Sequence, residues 1–133
     1  MAGGLAYVDT SALVKLVLGE DEAAALREEL AAWDGHVASR LLRTEAVRAC
    51  ARYGPTYAEL ARQASNAVAL LPVDDPVLDA AAELRPPELR TLDALHLATA
   101  LSLGEDLGAM LVYDSRLYDA AERAGLKVLA PGA

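Results

Sequence analysis

Short, strongly apolar runs alternate along this chain with longer stretches whose apolar residues recur every three or four positions, the pattern of strands and helices taking turns. GLAYVD at 4–9 reads as a buried strand; Thr10 and Ser11 supply the cap for a helix through ALVKLVL, which stops at Gly19. A second helix is expected from about Glu22 to Trp33, capped by Asp21 and ended by the Asp34–Gly35 turn. HVAS at 36–39 is a short strand, followed by a helix from about Leu41 to Tyr53 that Gly54 and Pro55 terminate, and by another from Thr56 to about Val68. ALLPV at 69–73 is the next strand, Pro76 to Leu84 a helix, and Pro86–Pro87 a rigid break. From Leu92 to Leu103 the helix is apolar almost all round, which implies central burial. AMLVYD at 109–114 reads as a buried strand, Ser115 to Ala124 as a helix and KVLA at 127–130 as a last strand. Short apolar strands separated by helices predict an α/β fold, a parallel sheet with helices on both faces.

Against this frame four acids stand out, because packing predicts that each is buried or nearly so: Asp9, Glu45, Asp93 and Asp114. Asp9 and Asp114 each close an apolar strand, and sites in open α/β sheets form beyond the carboxyl ends of the strands. Asp93 lies in the first turn of the central helix, where the positive helix terminus favours a carboxylate, and His96 continues along that face. Glu45 sits among Leu41, Leu42, Ala46, Ala49 and Cys50, an arrangement that points it inward. Converging buried carboxylates call for a cation, and oxygen-only ligands select Mg²⁺ or Mn²⁺. Each acid has a plainer alternative. Asp9 and Asp114 are also well placed to cap the helices that follow them, and Glu45 has Arg48 at the i, i+3 spacing. His96 fits a hydrogen-bonded core histidine or a group supporting the acids better than a metal ligand. Asp93 has no comparable alternative: a carboxylate opening a helix as apolar as LDALHLATAL needs a reason.

Composition narrows the chemistry. At 133 residues with 54% hydrophobic content the chain is expected to form one domain with a large aliphatic core. Only 5% of residues are aromatic and Phe is absent, which disfavours base stacking on an aromatic platform. The lone Cys50 and the lack of a cationic start followed by an apolar signal segment point to the cytoplasm, and no apolar run is long enough to span a membrane. A net charge of −8 opposes nucleic-acid binding in general, since phosphates are held by Lys and Arg. The charge is uneven, however. Acids at 20, 21, 22, 28 and 29 gather on one helix, whereas Arg40, Arg43, Arg48 and Arg52 surround the helix carrying Glu45 and, with Arg116, are candidates for guiding an RNA backbone.

VDTSALVKL, LLRTEAVRA with its Glu45, TLDALHLATAL and VYDSRL together resemble a PIN-domain ribonuclease of the VapC toxin type, over nearly the whole chain and in the order and spacing of the acids. The resemblance implies a single PIN-like domain over 1–133, a three-layer α/β/α sandwich with a central parallel sheet of four to five strands. It implies a Mg²⁺- or Mn²⁺-dependent endoribonuclease, usually a homodimer, held inactive by an antitoxin protein. Asp9 then matches the first acid of the family, Glu45 the second, Asp93 the acid of the DAxH segment and Asp114 the acid after the late strand. Ser11 matches the hydroxyl that supports the first Asp. Where some members carry a further acid beyond the position of Asp114, this chain has Ser115, Arg116 and Leu117, which leaves the number of metal ions open. An acidic pocket also complements a guanidinium, so an antitoxin arginine is expected to compete with the metal. Two other classes are weighed beside this one. An aspartate-type phosphatase expects a second Asp where Ser11 stands, and a receiver domain expects a Lys late in the last strand, which Lys127 instead begins. A catalytically silent binding or regulatory subunit of the same fold would have little use for all four acids.

Overall fold

The computed structural model describes residues 4–133. Its elements, in order, are β1 (Leu5–Val8), α1 (Thr10–Leu18), α2 (Ala23–Ala31), β2 (Gly35–Ser39), α3 (Leu41–Ala51), α4 (Pro55–Asn66), β3 (Ala69–Leu71), α5 (Asp75–Ala82), α6 (Thr91–Leu101), a 3₁₀ turn (Gly104–Asp106), β4 (Leu107–Leu111), α7 (Ser115–Arg123) and β5 (Val128–Leu129). Every expected element is present, most of them trimmed by one to three residues. The trimming has local causes. Gly19 ends α1 in the left-handed conformation at φ 66°, returning its N–H to the carbonyls of the last turn. Pro55 sits at the start of α4, where its missing N–H costs nothing.

The five strands form one parallel sheet in the order β3-β2-β1-β4-β5. The chain winds outward from β1 through β2 to β3, then crosses back to lay β4 on the other side of β1 and continues to β5. The reversal falls between β1 and β4, the switch point beyond whose carboxyl ends sites form in open α/β sheets. Helices α1, α3 and α4 pack on one another on one side, while α6 lies against β2, β4, α5 and α7. The result is the three-layer α/β/α sandwich. Its core is aliphatic: Ala6, Tyr7, Val8, Leu42, Leu97, Met110, Leu111, Val112 and Leu117 are almost wholly removed from water. In α6 every residue from Ala94 to Ala100 is buried, as a helix apolar on all faces requires.

One boundary differs in a way that matters. The β4 ladder begins at Leu107 and ends at Leu111, so Asp114 lies three residues beyond the strand instead of closing it. Val112 N–H still reaches the Leu129 carbonyl, but Tyr113 N–H turns away to Ser11 Oγ. That turn takes the chain out of the ladder and leaves Asp114 free to cap α7. Asp9 likewise stands one residue past Val8 and caps α1.

Trp33 packs closely against the backbone of β4 at Gly108, where an added Cβ would stand 2.0 Å from Trp33 Cζ3. The indole is itself fixed by its Nε1–H, which donates to Glu29 Oε2 at 2.8 Å. Gly108→Ala is therefore expected to cost about 1–3 kcal/mol through overpacking. A urea melt within about 0.5 kcal/mol of the parent would show that Trp33 yields freely.

Candidate active site

The crevice at the β1/β4 switch receives side chains from four separate segments, and local chemistry fixes each of them. Asp9 caps α1: its Oδ2 accepts the Ser11 N–H at 3.0 Å and the Ser11 hydroxyl at 2.6 Å. Ser11 Oγ in turn accepts Tyr113 N–H at 3.0 Å, so one hydroxyl ties Asp9 to the segment leading to Asp114. Asp114 caps α7 with Oδ1, which accepts from the N–H groups of Arg116 and Leu117 at 3.1 and 3.0 Å. Capping and ligation are thus not alternatives here. In each Asp the cap uses one oxygen and fixes the rotamer, and the other oxygen is left to the crevice.

Glu45, from the middle of α3, does not pair with Arg48. Its Oε1 accepts from the Thr10 hydroxyl at 2.9 Å and from His96 Nε2 at 2.6 Å, and Oε2 has no donor among the described residues. His96 is 1% exposed and extends the network inward. The Tyr7 hydroxyl lies 2.6 Å from His96 Nδ1 and accepts Ser39 N–H at 3.0 Å. One proton assignment satisfies every atom: Ser39 N–H to Tyr7 oxygen, Tyr7 O–H to Nδ1, and Nε2–H to Glu45. A buried chain of hydrogen bonds therefore runs from the strand β2 backbone through β1 and α6 to the acid on α3. His96 supports the acids and faces none of the crevice as a ligand would.

The electrostatics follow from burial and charge. Burial alone pushes the Glu45 carboxyl up, but the hydrogen bonds from His96 and from the Thr10 hydroxyl work against it, and the group is held below the usual carboxylate range. For Asp93 the balance goes the other way. Burial raises it, Asp114 and Asp9 add to that, and Arg90 offsets only part, so Asp93 holds its proton more tightly than a free carboxylate. Burial lowers His96, yet the hydrogen bond to Glu45 and the charges of Asp9, Glu45 and Asp93 bring it above its ordinary value.

Arg90 is the residue that sequence reasoning missed, together with Thr10 in its bond to Glu45 and Tyr7 beneath His96. Its guanidinium donates through Nε to Asp93 Oδ2 at 2.9 Å and through Nη2 to Asp114 Oδ2 at 3.2 Å. The i, i+3 spacing of Arg90 and Asp93 across a helix start is a usable signal for the first bond; nothing local signals the second. Among the described residues no three His, Cys, Asp or Glu side chains close on a common point. Even so, the donors suit a hard divalent ion in kind. They are oxygen-only, and Asp9 Oδ1, Glu45 Oε2 and the two oxygens now on Arg90 are free of helix caps.

The remaining arginines are spread more widely than expected. Arg40 precedes α3, Arg52 follows it, and both are exposed. Arg43 and Arg48 line a groove of about 470 Å³ between α3 and α4 with Thr44, Val47, Glu59, Arg62 and Asn66, and Glu45 is not part of its wall. Arg116 borders another concavity with Pro86, Glu88, Leu89, Asp119 and Arg123.

Comparison with known proteins agrees with this geometry. The PIN domain family model matches residues 6–123. The chain is 48% identical over 125 residues to Ribonuclease VapC46 of Mycobacterium tuberculosis, spanning 94% of this chain and 96% of that protein. It is 40% identical over 132 residues to Ribonuclease VapC47 of the same organism, spanning 96% and 97%. In fold it is similar to the crystal structure of M. tuberculosis VapC20, a Sarcin-Ricin loop cleaving toxin, with a TM-score of 0.75 at 19% identity over 95% of this chain and 99% of that one. The chain therefore belongs to the PIN-domain family and, within it, to the VapC proteins.

Proposed function

We propose that this protein is a metal-dependent endoribonuclease, the toxin of a toxin–antitoxin pair, and that Asp9, Glu45, Asp93 and Asp114 carry the reaction. The observation that supports it most is the division of labour in the crevice. Asp9, Glu45 and Asp114 are each pinned by hydroxyl, imidazole or backbone donors on one oxygen; the other oxygen is free in Asp9 and Glu45 and meets only the exposed Arg90 in Asp114. The names of relatives that match nearly end to end support the substrate class.

Asp9, Asp93 and Asp114 would hold Mg²⁺ or Mn²⁺, directly or through water. The bound ion supplies a water of lowered pKa and offsets the charge that builds on the phosphoryl oxygens. Glu45, kept ionised by His96 and Thr10, accepts a hydrogen bond from the attacking water and sets its direction. Ser11 keeps Asp9 in its rotamer and ties β1 to the Asp114 segment, and His96 does the same for Glu45. With Ser11 bonded to Asp9 where a phosphatase needs its second acid, the aspartate-phosphatase reading loses its chemistry.

RNA and an antitoxin protein are the partners this reading implies, with a homodimer as the working state. A cytoplasmic setting suits a chain whose single thiol is buried and unpaired, and among the described residues no helix is long and apolar enough to cross a membrane. Arg40, Arg43, Arg48, Arg52 and Arg116 would steer the RNA backbone. Replacing Arg43 and Arg48 together by Gln should weaken RNA binding across sequences and reduce the salt slope by about one for each phosphate left without its cation; an unchanged slope removes both from the RNA path.

The deciding experiment is incubation of a structured RNA pool with purified, antitoxin-free protein in Mg²⁺, Mn²⁺ or EDTA. Cutting in metal alone supports the reading. Equal cutting in EDTA overturns the metal dependence, and well-folded protein that neither cuts nor binds metal is the silent binding module instead.

A further inference from the structure

We propose that Arg90 is a built-in counter-ion of the crevice, a guanidinium that occupies the acids in the free protein and must leave before a divalent ion is held. The inference rests on the metal-centre reading above and concerns how that centre is regulated. Arg90 stands immediately before α6 with an extended backbone, so its side chain folds back over the first turn. From there one planar fork reaches two acids on different elements, Asp93 at 2.9 Å and Asp114 at 3.2 Å.

The choice of oxygens is what gives this pairing meaning. Asp114 spends Oδ1 on the α7 cap, and Arg90 takes Oδ2, the oxygen the cap leaves available for ligation. A divalent ion on Asp93 and Asp114 would compete for the same lone pairs and would place like charges within a few ångströms of each other. Retention of the guanidinium therefore opposes occupancy by the ion.

The pairing is also built to be reversible. The Arg90 side chain is 62% exposed, against 14% for Asp93 and 33% for Asp114. Its head leaves for water without opening the core, and exposed ion pairs of this kind are worth little. Released, it stays tethered at the crevice mouth as a free cation facing the path of a phosphate.

The test is calorimetric titration of Mn²⁺ into antitoxin-free, metal-free protein, comparing the parent with Arg90→Gln and Arg90→Lys. Circular dichroism melts of each variant with and without Mn²⁺ accompany it. Arg90→Gln is expected to bind Mn²⁺ about two- to fivefold tighter, the range an exposed ion pair can withhold. It is also expected to gain more in melting temperature from Mn²⁺ than the parent, with Arg90→Lys between the two because a point charge replaces the fork. Equal affinity in parent and Arg90→Gln would overturn the counter-ion and leave the metal centre standing, and weaker binding in Arg90→Gln would make Arg90 a structural prop of the site instead. No Mn²⁺ binding by either protein would overturn the metal-centre reading and this proposal with it.

Discussion

Asp93→Asn should abolish RNA cleavage, by on the order of 10³-fold or ~4 kcal/mol of transition-state stabilisation, while the metal-free protein melts higher than the parent. The two effects have one origin. Asp93 holds its proton more tightly in the folded protein than in the unfolded chain, because burial and the neighbouring Asp114 and Asp9 outweigh the help from Arg90. A group raised in this way stabilises the fold fully below its unfolded pKa, and that contribution is lost as pH rises through the folded value. At neutral pH the ionised Asp93 therefore works against folding unless a cation compensates it. Asn removes the charge and the function together, and the gain over the parent should shrink as the pH is lowered towards the carboxylate range. Residual cleavage within about tenfold of the parent would take Asp93 out of the reaction. A lower melting temperature would mean that the bond to Arg90 outweighs the burial of the charge.

Tyr7→Phe should destabilise the protein by about 2–4 kcal/mol, or roughly 10 °C in melting temperature. The hydroxyl removed is wholly buried and satisfies two other buried groups. Without it Ser39 N–H has no acceptor and His96 Nδ1 no donor, while the ring keeps its place at 82° to the imidazole. His96 would then be held only through Glu45, so the change should also be felt in the crevice as a drop in cleavage at saturating metal. Denaturant melts measure the first effect. A cost below about 0.5 kcal/mol would mean that water enters to replace the hydroxyl and that the buried chain is not a unit.

How far the sequence can be read follows from where each interaction lies along the chain. The strands, the apolar helix α6 and the places of Asp9 after β1 and Asp93 at the start of α6 follow from local periodicity, because burial in a parallel sheet writes itself into runs of Leu, Val and Ala. Glu45 is legible as inward-pointing, but its partner is not. Arg48 is three residues away and visible, whereas His96 is 51 residues away and enters only through the fold. Tyr7 and His96, 89 residues apart, meet for the same reason. Periodicity misplaces the end of β4 at Asp114 because VYD continues an apolar run, and only the bond from Tyr113 N–H to Ser11 shows that the ladder has already ended. Arg43 and Arg48 read together with Glu45 because they share its helix. A helix has several faces, however, and these two line the α3–α4 groove.

Whether Asp9, Asp93 and Asp114 hold a divalent ion is decided by an anomalous-scattering map from a crystal of the antitoxin-free protein soaked in Mn²⁺. A peak is expected between the acids, about 2.1–2.3 Å from oxygens of at least two of Asp9, Asp93 and Asp114, with Arg90 swung off them. A fully ordered crevice that stays without a peak at millimolar Mn²⁺, with Arg90 still bridging Asp93 and Asp114, or a peak held by other residues, would contradict that expectation.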